Sequence, residues 1–374
     1  MIANKHITKI IAVIMAAACC LCLTAIIFAD ELTDMSAGLG LTTEYESQLF
    51  GTETPISINI IMDEADWEDM LTNATAEEYY QCDVEINGEI FYRVGIRPKG
   101  NTSLITIASD PDTDRYSLKL EFDQYVDGQT CYGLDKLVLN NNYADATNMK
   151  EALIYDMYQY LGADASLYNY AKISVNGEYW GVYLALEAVE DSFLLRNYGT
   201  ENGALYKPDS MNIGGGSSDG GFSMGGFPMS SSGANLNYSD DDPDSYSTIW
   251  EGEVTQNTDT DHKRVITALK NISEGSNLET CMDVDNLLKY MAVHVFSVNE
   301  DSLSGVMAHN YYLYESDGQL NIIPWDYNLA LGGMSGMGSK DGGNSATVRL
   351  TARSPLWKAN SGNQMLSSMP PTLT

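Results

Sequence analysis

The stretch NEDSLSGVMAHNYYLYESDGQLNIIPWDYNLALGG, residues 299–333, carries most of the chemistry this chain declares. Asp301 and Asp326 lie 25 residues apart in it, with His309 and Asn310 between them. Asp301 falls in a polar loop after an apolar run. Asp326 follows Ile322-Ile323-Pro324-Trp325, which reads as a short buried strand, and precedes Tyr327-Asn328 and a Gly-Gly turn. Carboxylates at strand ends beside turns can be held rigidly over a cleft, whereas those on solvated helix faces cannot. Hard oxygen ligands in the order Asp, Asn, Asp suit Mg²⁺ or Mn²⁺ and a phosphate-bearing substrate. Each aspartate taken alone reads as the cap of a turn; the set is what points to a site.

Working outward, the N-terminal half reads as antiparallel β-structure. Ile56, Ile58 and Ile60 alternate with Ser57 and Asn59, the period of a half-buried strand. Residues 63–71 predict a short helix with Trp67 facing inward. Residues 82–94 and 173–187 each form a hairpin pattern around an Asn-Gly pair, Asn87-Gly88 and Asn176-Gly177, which supplies the positive φ values of a type I′ turn. Between the hairpins, Arg97-Pro98-Lys99-Gly100-Asn101-Thr102-Ser103 is a loop whose small residues and two cations can approach phosphate oxygens. In the following strand Tyr116, Leu118, Leu120 and Phe122 share one face, leaving Ser117, Lys119 and Glu121 on the other. A helix is predicted from Asp145 to Leu161, capped by Gly162, with Met149, Leu153, Met157, Tyr160 and Leu161 as its buried stripe and Glu151 off it. Lys119 reads as a solvent-facing strand lysine or as a phosphate lysine held by Glu151. Glu151 reads as that partner or as a complement to the helix dipole.

The C-terminal half is helical in pattern. A short helical segment begins after Glu187. Lys207 to about Ser247 is Gly-, Ser- and Met-rich (GGGSSDGG, SMGGFPMSSSG, SDDDPDS) and reads as a disordered insertion, open to phosphorylation at its serines. Residues 262–272 and 284–298 predict two helices, with Leu287, Leu288, Met291 and Val295 as the second one's apolar face. His294 and His309 read as structural. After Gly333 the periodicity fades and the sequence is no longer acidic. The resulting expectation is an α+β chain: leader 1–29, linker 30–54, β-rich half 55–190, helical half 191–335 with the insertion at about 208–247, and a flexible tail 336–374.

HNYYLY followed by IIPWDYNLALGG resembles the signature of the CotH kinase family, the spore coat protein H-like atypical protein kinases. The likeness recurs in VGIRPKGNTS at 94–103, SLKLEFD at 117–123, LVLNNNYADATNMKEALIYDM at 137–157 and ISVNGEYWGVYLALEAVEDSFLLRNYG at 173–199, and it spans roughly residues 56–333. The resemblance implies a two-lobed kinase-like fold with an antiparallel β-rich N-lobe and a mainly helical C-lobe, using ATP and Mg²⁺ or Mn²⁺. It puts Arg97, Lys99, Gly100, Asn101, Ser103 and Lys119 at the nucleotide, with main chain near Glu187 at the adenine edge. Glu151 orients Lys119. Asp326 binds metal, and Asp301 is either the catalytic base or a second metal ligand, assisted by Asn310. HRD, DFG and the usual glycine-loop patterns are absent, and beyond Gly333 no likeness is recognisable.

Bulk numbers bound the partners. With 20 Lys plus Arg against 52 Asp plus Glu, the formal net charge is −32. So negative a field argues against nucleic acid or anionic lipid and favours a basic, Ser-rich protein substrate; acidity equally keeps a secreted protein soluble. Lys5 and Lys9 precede an uncharged run from Ile10 to Phe28, the pattern of a secretory signal, which directs the chain to the cell exterior, the envelope or a spore coat. Membrane attachment follows only if that leader stays uncleaved. Beyond it remain Cys82, Cys131 and Cys281, too few for a disulfide framework. Two other functions compete: a non-catalytic coat or envelope assembly protein on the same fold, and a glycoside hydrolase with Asp301 and Asp326 as its carboxylates. The hydrolase leaves Lys119, Glu151 and the KGNTS loop without roles.

Overall fold

The computed structural model describes residues 43–208, 234–304 and 308–333. Their architecture is mixed α and β, built on a seven-stranded closed barrel and a three-stranded sheet. In chain order the elements are β1 (Ile56–Ile61), α1 (Glu64–Thr72), β2 (Tyr80–Ile86), β3 (Glu89–Lys99), α2 (Thr102–Ala108), β4 (Ser117–Glu121), β5 (Lys136–Asn140), α3 (Lys150–Leu161), β6 (Tyr168–Val175) and β7 (Glu178–Glu187). There follow α4 (Asp191–Tyr198), β8 (Ala204–Tyr206), α5 (Asp259–Glu274), α6 (Val284–Ser297), β9 (Tyr311–Ser316) and β10 (Gln319–Pro324), with shorter turns between.

The barrel runs β1-β2-β3-β4-β5-β7-β6. All neighbours are antiparallel except β1 and β6, whose parallel pairing (Ile58 opposite Ile173) closes the ring. Closure leaves no strand edge open to pairing with another chain. Both Asn-Gly pairs turn as their chemistry requires, with φ of 51° and 92° at Asn87 and Gly88 and of 50° and 86° at Asn176 and Gly177. The alternating residues Ile56, Ile58, Ile60, Val94, Ile96, Leu118 and Leu120 fill the interior. The outward residues of β3, β4 and β5 that face the cleft described below are Arg97, Lys99, Lys119 and Val138.

A second core lies under β8-β9-β10 and the helices around it, and tyrosine dominates it. Tyr155, Tyr158, Tyr290, Tyr311 and Tyr327 are all fully buried. Buried phenols need partners, and several find them inside this core: the hydroxyls of Tyr158 and Tyr327 lie 2.6 Å apart, His294 Nδ1 is 3.2 Å from Tyr327 Oη, and Tyr311 Oη donates to the Ala234 carbonyl at 2.6 Å. Arg264 on α5 clamps β9 through a bidentate contact to buried Glu315, at 2.7 and 2.9 Å.

Several expectations are corrected. The expected linker is ordered from residue 43, and Tyr45 and Leu49 are fully buried in the barrel core. Helix α3 starts at Lys150, because the Asp145 carboxylate accepts from the N–H groups of Thr147 and Lys150 and holds the preceding residues in a turn. Its buried face is Glu151, Ala152, Ile154, Tyr155 and Tyr158, while Met149, Leu153, Tyr160 and Leu161 are exposed. Helix α6 buries Asn286, Tyr290, Val293, His294 and Ser297 and exposes Leu288 and Val295. Met157 on α3 and Leu287 and Met291 on α6 do pack partly buried against the core, beside Tyr, His, Asn and Glu side chains that the expected stripes left out. The segment 234–247, expected as part of a disordered insertion, is structured: Ala234 and Tyr246 are buried and Asp242 caps a 3₁₀ turn. The remainder of that insertion, the leader and the tail lie outside the described residues. Among those described, no helix is long and apolar enough to cross a membrane.

Candidate functional site

The outer wall of the barrel supplies a row of cations. Arg97 and Lys99 alternate on β3 with Pro98 between them, and register places Arg97 directly opposite Lys119 on β4. Lys119 in turn pairs across from Val138 on β5. Facing this wall are Tyr312 on β9, Trp325 after β10 and Lys207 after β8. Together with Ala188 and Glu190 they line a cleft of about 80 Å³. The ammonium groups of Lys99 and Lys207 lie 5.5 and 5.8 Å from the Trp325 ring centroid, and Tyr312 packs edge-on against Trp325. Lys207 owes its position to Gly252. Its N–H donates to the Gly252 carbonyl at 2.7 Å, and a Cβ on that glycine would lie 2.2 Å from the Lys207 carbonyl oxygen.

Behind the cations lies an acidic centre. Glu151 is 2% exposed and accepts from Asn140 Nδ2 at 2.9 Å and from the Tyr327 N–H at 3.3 Å. Asn140 uses its other end to accept from Lys99 Nζ at 2.9 Å, so one amide links the lysine to the helix glutamate. Burial, then the charge of Asp326, pushes the Glu151 carboxyl up to about 7. Burial pulls Lys99 down to about 8; among its charged neighbours Asp326 opposes this most strongly, while Lys207 and Arg97 reinforce it. These shifts put the Lys99 ammonium and the Asp326 and Glu151 carboxylates in one electrostatic unit. Asp326 itself has φ +54°, in the left-handed region that Asp tolerates better than most residues, and such conformations cluster at functional positions.

Asp301 is held beside this centre. Asn310 Nδ2 donates to its carbonyl at 2.9 Å and its carboxylate at 3.0 Å, and His309 Nε2 lies 3.2 Å from the other carboxylate oxygen. Asn299 bridges the two aspartates: its Oδ1 accepts from the Asp301 N–H at 3.2 Å and its Nδ2 donates to the Asp326 carbonyl at 3.5 Å.

The structure brings Arg97, Lys99, Lys119, Glu151 and Asp326 around one region, with Asp301 and Asn310 tied in through Asn299. It does not form the expected Lys119–Glu151 pair. Lys119 Nζ instead lies 2.5 Å from Glu190 Oε1, while Lys136 takes Glu190 Oε2, also at 2.5 Å. Burial alone would raise the Glu190 carboxyl, but the two ammonium groups hold it below its ordinary value. Ala188 and Glu190, just after Glu187, line the cleft, and Glu187 itself turns inward. Its side chain is fully buried on a different set of donors, Tyr45 Oη at 2.6 Å, the Leu167 N–H at 3.0 Å and Arg196 at 2.6 and 2.8 Å, and its own N–H donates to the Leu167 carbonyl. Gly100 (φ +133°) and Asn101 lead into α2, with Ser103 in its first turn. Sequence reasoning missed Asn140, Asn299 and Glu190. The Asn140-Asn141-Asn142 run directly after Leu137-Val138-Leu139 was the available signal for Asn140.

Among the described residues no three His, Cys, Asp or Glu side chains gather as a metal cage. Mg²⁺ is commonly bound through one or two carboxylates, with waters and substrate phosphates completing the shell. The charge excess that Asp326 imposes on Glu151 fits a cation held in that manner.

Comparison with known proteins places the chain in a family. The family model described as CotH kinase protein matches residues 96–363. The chain is 27% identical over 213 residues to the inner spore coat protein H of Bacillus subtilis strain 168, a match covering 54% of this chain and 52% of that protein. The chain thus spans about half the length of the curated relative it matches. The family match begins later than the resemblance read from the sequence and continues past Gly333, where no likeness was recognisable. On the strength of a match covering most of its length, the chain belongs to the CotH kinase protein family.

Proposed function

We propose that this chain is an ATP- and divalent-metal-dependent protein kinase that phosphorylates Ser or Thr of coat or extracellular proteins, itself included. One observation carries the reading: in a chain of net charge −32, Arg97, Lys99, Lys119 and Lys207 converge on one cleft in front of Asp326. Phosphoryl transfer asks for little beyond such a set, because catalysis is mostly positioning and charge stabilisation. Lys99 and Lys207, backed by Trp325, contact phosphate oxygens. Lys119 joins them when Glu190 yields to the incoming anion. Asp326 holds the divalent ion, which neutralises phosphate charge when bound. Asp301, oriented by Asn310 and His309, accepts the acceptor hydroxyl's proton or serves as a second ligand. The barrel stands as the N-lobe of a two-lobed enzyme and the tyrosine-rich half as its C-lobe. At about 80 Å³ the cleft is far below the roughly 300–1,000 Å³ of sites that enclose whole small molecules, so it takes the phosphates while the nucleoside lies outside or widens it. Coat association follows the named relative, and export through the leader is part of the same reading.

The test is radiolabelled ATP with the purified chain and a Ser-rich basic polypeptide, run beside Asp326→Ala. Label on the polypeptide that the variant does not transfer supports the proposal; equal transfer by the variant, or none by the parent, refutes it. A scaffold without catalysis is the second reading, favoured by Glu190 already neutralising Lys119. A scaffold shows no thermal shift with Mg-ATP, whereas a ligand at a hundred times its Kd adds about 2.7 kcal/mol.

A further inference from the structure

Two apolar stripes face away from the core on adjoining helices. At the start of α3, Met149 and Leu153 are 50% and 45% exposed; on α6, Leu288, Val295 and Phe296 are 65%, 56% and 61% exposed. The helices run antiparallel, with Tyr158 stacked on Tyr290 and Lys289 Nζ donating to the Gly162 carbonyl at 3.0 Å. Scattered exposed apolar side chains are ordinary. Stripes at helical spacing on two packed helices mark a surface that something covers.

The chain itself supplies an occupant. The Leu331 N–H donates to the Ser297 carbonyl at 2.6 Å, at the end of α6, and a Cβ on Gly333 would lie 2.9 Å from Lys150 Nζ, at the start of α3. The backbone therefore leaves the described region at the open end of both stripes, with Leu331 itself 43% exposed. Forty-one residues follow Gly333 in the sequence. Even as continuous helix that length reaches about 60 Å, against about 18 Å for α3. The family match runs on to residue 363, so residues 334–363 belong to the matched region. Residues 348–374 carry Arg349, Arg353 and Lys358 with no Asp or Glu, opposite in sign to the rest of a strongly acidic chain, and they include Leu356 and Trp357.

We propose that segment 348–374 docks across the outward stripes of α3 and α6, its apolar residues, Leu356 and Trp357 among them, covering the exposed ones. The proposal is independent of nucleotide chemistry. The test is p-benzoylphenylalanine in place of Phe296 in the full chain, irradiated and mapped by peptide mass spectrometry, using a mixture of ¹⁵N-labelled and unlabelled chains. The expected product joins residue 296 to a peptide from 348–374 of the same chain. It is lost in the Leu356→Asp, Trp357→Asp double variant, and it does not form from the same probe at Tyr92, which is exposed on the barrel. Mixed-isotope products alone would assign the surface to a second copy and overturn the proposal. Absence of any crosslink into 348–374 from position 296 overturns it as well.

Discussion

Two buried glutamates, one at each end of the connection from β5 to α4, face opposite circumstances. Glu187 takes hydrogen bonds from a phenol and a backbone amide and a bidentate contact from Arg196, so its charge is matched by a fixed cation. Glu151 is equally buried but has an amide side chain and one long backbone contact, and the charge acting on it most strongly, Asp326, is of the same sign. A saturated buried carboxylate pins structure, while an undersupplied one beside a like charge keeps capacity for a cation or a proton. The contrast separates framework from site without reference to any relative.

The largest effect should fall on the saturated pair. Arg196→Ala leaves Glu187 buried without its cation and should cost about 3–5 kcal/mol in urea unfolding, while Arg196→Met with Glu187→Met recovers most of it. If the single variant costs nothing, the contrast fails at its structural end. Next comes Asp326→Ala, for which label transfer from ATP should drop on the order of 10²–10³-fold, with the urea midpoint holding or rising because Glu151 loses its repelling neighbour. A fall in stability to match the loss of activity would make Asp326 a framework residue. The smallest effect is a pH dependence. The folded Glu151 carboxyl is raised above its ordinary 4.5, so the fold favours its protonated form, and its contribution declines as pH rises from 4.5 through about 7. Lys99 is lowered, so the burden of its buried ammonium is fully present below about 8 and is relieved as pH rises from there towards 10.5. Glu151→Gln should flatten the decline between pH 4.5 and 7 in urea midpoints; an unchanged profile would show that Glu151 does not titrate in that window.

Much of the barrel was legible in the sequence because its code is local. Ile56, Ile58 and Ile60 alternate in plain view, and each Asn-Gly pair determines a turn by its own φ preference. The helices were less legible. Periodicity located α3 and α6, but their buried faces mix Ala152, Ile154 and Val293 with Tyr, His, Asn and Glu, which count as polar until their partners in the fold are known. The site was readable as residue types and only partly as pairings. Lys119 beside a helix glutamate looked like an ion pair, yet the contact between Lys99, Asn140 and Glu151 depends on barrel register that no local pattern encodes. Glu190 escaped notice for the same reason, since it meets Lys119 and Lys136 only once β4 and β5 lie side by side.

The central claim is that Lys99, coupled to Glu151 and Asp326, makes this cleft a polyphosphate site. Calorimetric titration of Mg-ATP into the parent chain and into Lys99→Met tests it most directly. Loss of one charge-assisted contact worth about 1.5–3 kcal/mol predicts affinity weaker by roughly ten- to a hundredfold in the variant. Equal affinity in both proteins, or no binding by the parent, would contradict the account.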